Sequence, residues 1–165
     1  MELRELFVKN LGELLGVEQT LEMEVLPQLV EQTSNDKLRE ALQDHAAKTH
    51  THVARVERAF EELGETPKAE RSDVLVALRR EHDLLFERVD GATLRDLVIA
   101  SSATHTEHYE ISAYHSVISL AIGLGEPELV HLLEENLHEE EEALEKLEKA
   151  VPERLLGQLA QRAAG

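Results

Sequence analysis

Four long stretches of this chain carry apolar residues at alternating steps of three and four, the spacing of one face of a helix. No stretch alternates with the two-residue period of a strand. Each stripe must be buried against another, so the pattern points to an all-α four-helix bundle. The first stretch, about 3–31, shows Leu3, Phe7, Leu11, Leu14, Leu21 and Val25, with Pro27 expected to kink or shorten it. The second, about 36–63, shows Leu38, Leu42, Val56 and then Phe60 or Leu63. The third, about 94–122, opens with "LRDLVIASSAT", whose small residues allow close packing. The fourth, about 127–149, shows Leu133, Leu137, Leu144 and Leu147.

The connections set the topology. "TSND" at 33–36 is a short turn that offers N-cap residues, and "GLGEP" at 123–127 stops one helix and starts another. Both join antiparallel neighbours. Between the two hairpins lies a loop, "LGETPKAERSD" at 63–73, and then an inserted crossover helix of about 72–89. Ser72 or Asp73 is its expected cap, with Leu75, Leu78, Leu85 and Phe86 on one face. "VDGAT" ends it and Thr93 is expected to cap the next helix. Pro152 starts a short C-terminal helix, about 152–163, with Leu155, Leu156 and Leu159. Residues 1–165 are expected to form one domain.

The stripes are interrupted by groups that do not belong in a core. Glu18 sits between Leu14 and Leu21. His45, Thr49 and His52 follow the stripe of the second helix. On the third, Ala100, Ala103, Glu107, Glu110, Tyr114 and Val117 share a face, and on the fourth Glu140 sits between Leu137 and Leu144. Reflection through each turn tests whether these groups meet. Reflecting Glu18 about position 33–34 lands near 49, between His45 and His52; reflecting Glu110 about 125 lands on 140, and Glu107 near 143. At ~1.5 Å rise per residue, each hairpin sets its polar groups opposite one another.

Buried carboxylates are costly unless they are protonated or neutralised. Four of them balance two divalent cations, and carboxylate with imidazole is the donor set that holds iron, manganese or zinc inside a helical bundle. The candidate metal residues are therefore Glu18, His45, His52, Glu107, Glu110 and Glu140, with iron, manganese and zinc all open as the metal. Glu107 and Glu110 are expected to bridge or chelate. Because His45 and His52 are two turns apart, about 10 Å along the axis, they are expected to serve different ions from opposite sides. Thr49 is expected to bond a bridging water or hydroxide. Tyr114 is read as a core phenol, or as a hydrogen-bond or one-electron partner of the site.

Other acidic and imidazole groups read as surface. Glu135-x-x-His138 has the spacing of a di-iron pair but lies opposite Leu133 and Leu137, and of the "HEEEE" run only Glu140 points inward. His50, His105 and His115 flank the stripes, and His82 reads as packing in the inserted helix. With 34 acidic against 17 basic residues and a net charge of −17, the surface repels nucleic acid and attracts cations. There is no cysteine, no run apolar enough to span a membrane and no visible signal peptide, so the expected setting is cytoplasmic, with metal ions rather than nucleic acid or membrane as partners.

Several phrases resemble the YciF family of bacterial stress proteins: "ELF…L…EQTL…LP" over 5–27, "ALQDHAAKTH" at 41–50, "TEHYEISAY" at 106–114 and "LLEENLHEEE" at 132–141. The resemblance implies a ferritin-like fold, a di-metal site, a homodimer and a role in stress responses. By motif position it assigns metal to Glu18, His45, Glu107, Glu110 and Glu140. This chain departs from the family at His52, where Gln is frequent, and at Leu144, where Asp is frequent. Neither ferritin-type Glu-x-x-His pair is intact in register, since position 49 is Thr and position 143 is Ala. The functions to weigh are thus a di-iron protein that oxidises ferrous iron or reduces oxygen or peroxide, and a non-enzymatic stress protein with a structural or vestigial metal site, acting through dimerisation or partner binding.

Overall fold

The computed structural model describes residues 1–150. The expected C-terminal helix at about 152–163 lies outside the described residues. Every regular element among those described is helical: α1 (Leu3–Thr20), a π turn (Leu21–Val25), α2 (Leu26–Gln32), α3 (Asp36–Glu62), α4 (Asp73–Phe86), α5 (Ala92–Leu124) and α6 (Pro127–Ala150). The caps follow local chemistry. Asn35 accepts a hydrogen bond from the Leu38 amide to start α3, and Ser72 accepts one from the Leu75 amide to start α4. Gly125 ends α5 in the left-handed conformation that favours glycine.

Four expectations about local structure change. The first helix is not continuous to residue 31. Pro27 has no amide to donate and its ring crowds the preceding turn, so one π turn intervenes and the Leu26 amide reaches back to the Leu21 carbonyl. The N-cap of α5 is Gly91, at φ 88°, rather than Thr93. Leu85 leaves the packed face of α4 and is 45% exposed, while Leu75 is buried. On α6 the buried stripe is Leu129, Leu133, Asn136, Glu140, Ala143 and Leu147, so Leu137 and Leu144 sit on its flank.

The four long rods form a ring: α1 packs on α3 and α5, and α6 packs on the same two. The inserted α4 lies against α5. The core has two apolar clusters. One gathers Phe7, Leu11, Leu14, Val56, Phe60, Val117 and Leu133 at one end. The other gathers Leu21, Leu26, Leu29, Leu38, Leu42, Ile99 and Leu147 at the other. Between them, at mid-height on all four rods, lies a layer of buried polar side chains.

The loop before α4 is held by a feature that the apolar pattern does not display. Gly12 and Gly16 are one turn apart on α1, and the chain crosses them closely enough for the Glu70 amide to donate to the Gly12 carbonyl at 2.8 Å. A Cβ on Gly16 would stand 1.9 Å from the Glu70 carbonyl oxygen. In an open helix, Gly→Ala gains up to ~1 kcal/mol. At Gly16 the backbone clash outweighs that gain, and Gly16→Ala is expected to destabilise by about 1–3 kcal/mol. Gly123, whose added Cβ would meet only the tip of Leu3, is expected to tolerate or gain from the same change. Thermal unfolding of the two variants checks the contrast; equal melting temperatures would show that the loop does not depend on this crossing.

Candidate metal centre

The polar layer is built from one or more residues of each rod. Glu18, from α1, Thr49 and His52, from α3, Glu110 and Tyr114, from α5, and Glu140, from α6, are fully buried, and His45 and Glu107 nearly so. Two groups form within it. His45, Glu107, Glu110 and Glu140 offer ligand atoms within 4.8 Å of one another, as do Glu18, His52 and Glu140. Glu140 belongs to both. His45 Nε2 lies 3.2 Å from Glu107 Oε1 and its Nδ1 3.6 Å from Glu140 Oε2. His52 Nδ1 lies 2.8 Å from Glu140 Oε1 and 3.6 Å from Glu18 Oε2. The two imidazoles stand apart, 6.4 Å between ring centres, one in each group.

The electrostatics follow from dryness and crowding. Burial and the charge of Glu140 push the Glu107 and Glu110 carboxyls well above their usual range, and raise Glu18 to about 7. Burial lowers His45. Burial would also lower His52, but its contacts with Glu140 and Glu18 raise it to about 10. Glu140 is pushed up by burial and held down more strongly by His52 and His45, and stays below its ordinary value. A Glu140 carboxylate beside a protonated His52, with Glu107 and Glu110 holding protons, is the charge state these contacts favour in the protein alone.

Hydrogen bonding does not complete the layer. Glu18 Oε2, His45 Nδ1, His52 Nδ1, Glu107 Oε2 and both oxygens of Glu110 and Glu140 are buried without an aligned partner. The 2.8 Å approach of His52 Nδ1 to Glu140 Oε1 has the distance of an ion pair but not the direction of a hydrogen bond, so neither atom is satisfied by it. Buried polar atoms are rarely left so. Oxygen and nitrogen donors facing one another in a dry layer, with no thiolate, fit a hard or borderline divalent cation.

Several sequence expectations need adjustment here. Thr49 donates to the His45 carbonyl at 2.9 Å, so its proton is already committed within α3. Glu139, expected at the surface, is half-buried: its Oε2 lies 2.9 Å from His52 Nε2 and accepts from Arg55 Nη1 at 2.8 Å. Tyr114 donates to Glu18 and accepts from Asn136 Nδ2 at 2.9 Å. Asn136 also accepts from Arg55 at 2.9 Å and donates to the His52 carbonyl at 3.2 Å. Asn136, Glu139 and Arg55 thus connect Glu18 and His52 to the surface, and the sequence reading missed all three. The signal for Asn136 was its place one turn before Glu140 on the same face.

Other residues stand as the spacing suggests. Glu135 and His138 do not join the layer; His138 is 71% exposed beside Glu142. His50 pairs with Glu22 at the surface, and His105 and His115 are exposed. His82 packs on Phe86 and lies 3.0 Å from the Ser102 hydroxyl.

Comparison with known proteins agrees with this architecture. A family model described as "Domain of unknown function (DUF892)" matches residues 2–161. Protein YciF of Escherichia coli K12 is 30% identical over 139 residues, 84% of this chain and 83% of that one. Among solved structures, YcfI of Rhodopseudomonas palustris, called a structural protein, superposes with a TM-score of 0.87 at 30% identity, covering 90% of this chain and 94% of that chain. The E. coli stress protein YciF superposes with a TM-score of 0.85 at 28% identity, covering 91% and 94%. A Xanthomonas campestris protein at 22% identity shares the fold, with a TM-score of 0.76 over 99% of this chain and 100% of that chain. On its match over residues 2–161 this chain belongs to the DUF892 family, and its sequence and all-α fold are similar to those of the E. coli stress protein YciF.

Proposed function

We propose that this protein is a ferritin-like di-metal carboxylate protein with a stress-related role, and that its redox partners are ferrous iron and oxygen or peroxide. The observation that carries the reading is Glu140. One buried carboxylate is common to two groups of donors, each of which includes atoms without an aligned partner, so one side chain could serve two cations. Glu107, Glu110 and His45 would hold one ion and Glu18 and His52 the other, with Glu140 between them. Four glutamates neutralise two divalent ions, so loading removes the charge that burial makes costly. Iron fits the oxygen-rich donor set best, with manganese and zinc as alternatives.

Two bound iron ions would supply one-electron steps to oxygen or peroxide. The side chains themselves do simpler work. The apolar clusters above and below the layer exclude water. Tyr114 holds Glu18 by a hydrogen bond, and Asn136 holds Tyr114. Glu139 takes Nε2 of His52 and so leaves Nδ1 facing Glu140 and Glu18, the usual service of a carboxylate behind a ligating histidine.

A second reading has its own support. Thr49 and Ala143 stand where ferritin-type pairs would have ligands, and one relative is called a structural protein. In that case the site is structural, and the protein acts as a homodimer or through a partner. Metal analysis of untagged protein, followed by oxygen consumption with ferrous iron, separates the two: bound metal without oxygen consumption favours the structural reading, and no bound metal sinks both.

Three expectations follow from this geometry. Glu140→Ala should lose both ions while Glu141→Ala retains them; equal stoichiometry in the two would refute the shared role of Glu140. His45→Ala should lose about one ion per chain, and His52→Gln should keep metal with a changed rate of ferrous oxidation, both read by elemental analysis beside oxidation kinetics.

The last expectation concerns pH. Glu107, Glu110 and Glu18 bind protons more tightly in the fold than in the unfolded chain, Glu18 at about 7. Their contribution is present at low pH and is lost as pH rises through the folded values. His52, raised to about 10, loses its contribution in the same direction. His45, held neutral by burial, works in the opposite sense below about pH 6.5. Metal-free protein should therefore melt lower at pH 8 than at pH 6.5. Cation at about a hundredfold its Kd should raise the melting temperature by roughly 5–10 °C, with the larger gain at pH 8. A chelator without effect at pH 8 would contradict the metal reading.

A further inference from the structure

We propose that Glu139 and Glu135, capped by Arg55, form the surface entry site through which divalent cations reach the buried layer. This rests on the metal reading above and adds a route to it. The six candidate ligands are each 2% exposed or less, so an ion must arrive by way of a group that touches both water and the layer. Among the hydrogen bonds and ion pairs of the described residues, one partly exposed carboxylate does so. Glu139 has a side chain 26% exposed, and its Oε2 lies 2.9 Å from Nε2 of His52. Across the same ring, Nδ1 faces Glu140 and Glu18, whose oxygens include unpartnered ones. Water, Glu139, His52 and the inner carboxylates form a line of ligand atoms one imidazole wide. Other acidic groups on α6 lead nowhere of this kind: Glu142 ends on Lys48 and His138, at the surface.

The outer end already holds a cation. Arg55 Nη1 lies 2.8 Å from Glu139 Oε2, and its Nε lies 3.0 Å from Glu135 Oε2, whose side chain is 43% exposed. The guanidinium thus fills the space between two carboxylates where a divalent ion would first be held. Arg55 is 21% exposed and also donates to Asn136 at 2.9 Å, so an ion that takes its place between the two carboxylates displaces all of these contacts, and the long side chain has water on its open side to turn into. An arriving ion replaces one positive charge with two between the same carboxylates. Glu139 then releases Nε2 of His52 as it turns to the ion, and the freed imidazole can accept the ion on its way to Glu18 and Glu140. The net charge of −17 draws cations to the molecule, and these two carboxylates mark where they enter.

The test is the rate of ion uptake, measured apart from activity. Metal-free full-length protein is mixed rapidly with cobalt(II), the unbound ion is followed with a chromophoric chelator, and the final cobalt-to-protein ratio is measured by elemental analysis. Glu139→Gln is expected to slow uptake about tenfold while reaching the wild-type ratio. Arg55→Gln is expected to speed uptake, and Glu141→Gln to leave it unchanged. Wild-type rates in Glu139→Gln, a lowered final ratio in that variant, or slower uptake in Arg55→Gln would each overturn the entry site. If Glu139→Gln fails to fold by circular dichroism, the Arg55→Gln rate decides: faster supports the site, equal or slower overturns it. Wild-type protein that takes up no cobalt would instead remove the metal reading and the entry site with it, so the two failures are distinguishable.

Discussion

Everything in this bundle accommodates one constraint: a dry layer at mid-height that contains four glutamates and two histidines. Each buried ion costs several kcal/mol even after relaxation, and here the groups also repel one another. The protein meets that constraint in part with its own protons. Glu140 and Glu18 push His52 toward its protonated form, and burial pushes Glu107 and Glu110 toward theirs. Hydrogen bonds meet it only in part, because eight oxygens and nitrogens of the layer lack an aligned partner. A core selected for stability alone would fill these positions with leucine, as it does immediately above and below. The two apolar clusters exist as separate bodies because this layer divides them.

The fold that holds the layer was largely legible from spacing. The three-and-four stripes located the four rods, and antiparallel reflection through two short turns set Glu18 opposite His45 to His52 and Glu110 opposite Glu140. A shared period and short connections are local information, so a sequence carries them openly. The helix boundaries moved by a few residues, and Pro27 produced a π turn where a kink or an early end was expected.

What was not legible depends on contacts between distant segments. Gly12 and Gly16 look like two weak spots in a helix; only the crossing of the chain at Glu70 makes them necessary. The stripe of α6 was drawn through Leu137 and Leu144, whereas a rotation of the helix by a fraction of a turn buries Asn136 and Ala143 instead. That rotation also brings Glu139 toward α3. Its partners, Arg55 and His52, lie more than eighty positions earlier, and no period within α6 points to them. In a run of five charged or imidazole residues, the inward member can be read from the stripe, but a half-buried neighbour cannot.

The two halves of the layer are not equivalent, and the difference lies in what stands behind them. Glu18 and His52 are each held from outside: Tyr114 and Asn136 behind the one, Glu139 and Arg55 behind the other. Arg55 also bonds Asn136, so these supports close into a single network on the α3–α6 side. Glu107 and Glu110 have no such backing, and both oxygens of Glu110 lack any partner. A positioned donor loses little freedom when it takes a ligand, whereas an unsupported one must be ordered first. The Glu18 and His52 half is therefore preorganised, and the His45, Glu107 and Glu110 half is adaptable, with Glu140 common to both. The layer thus has one half fixed from outside and another that only a ligand of its own would order.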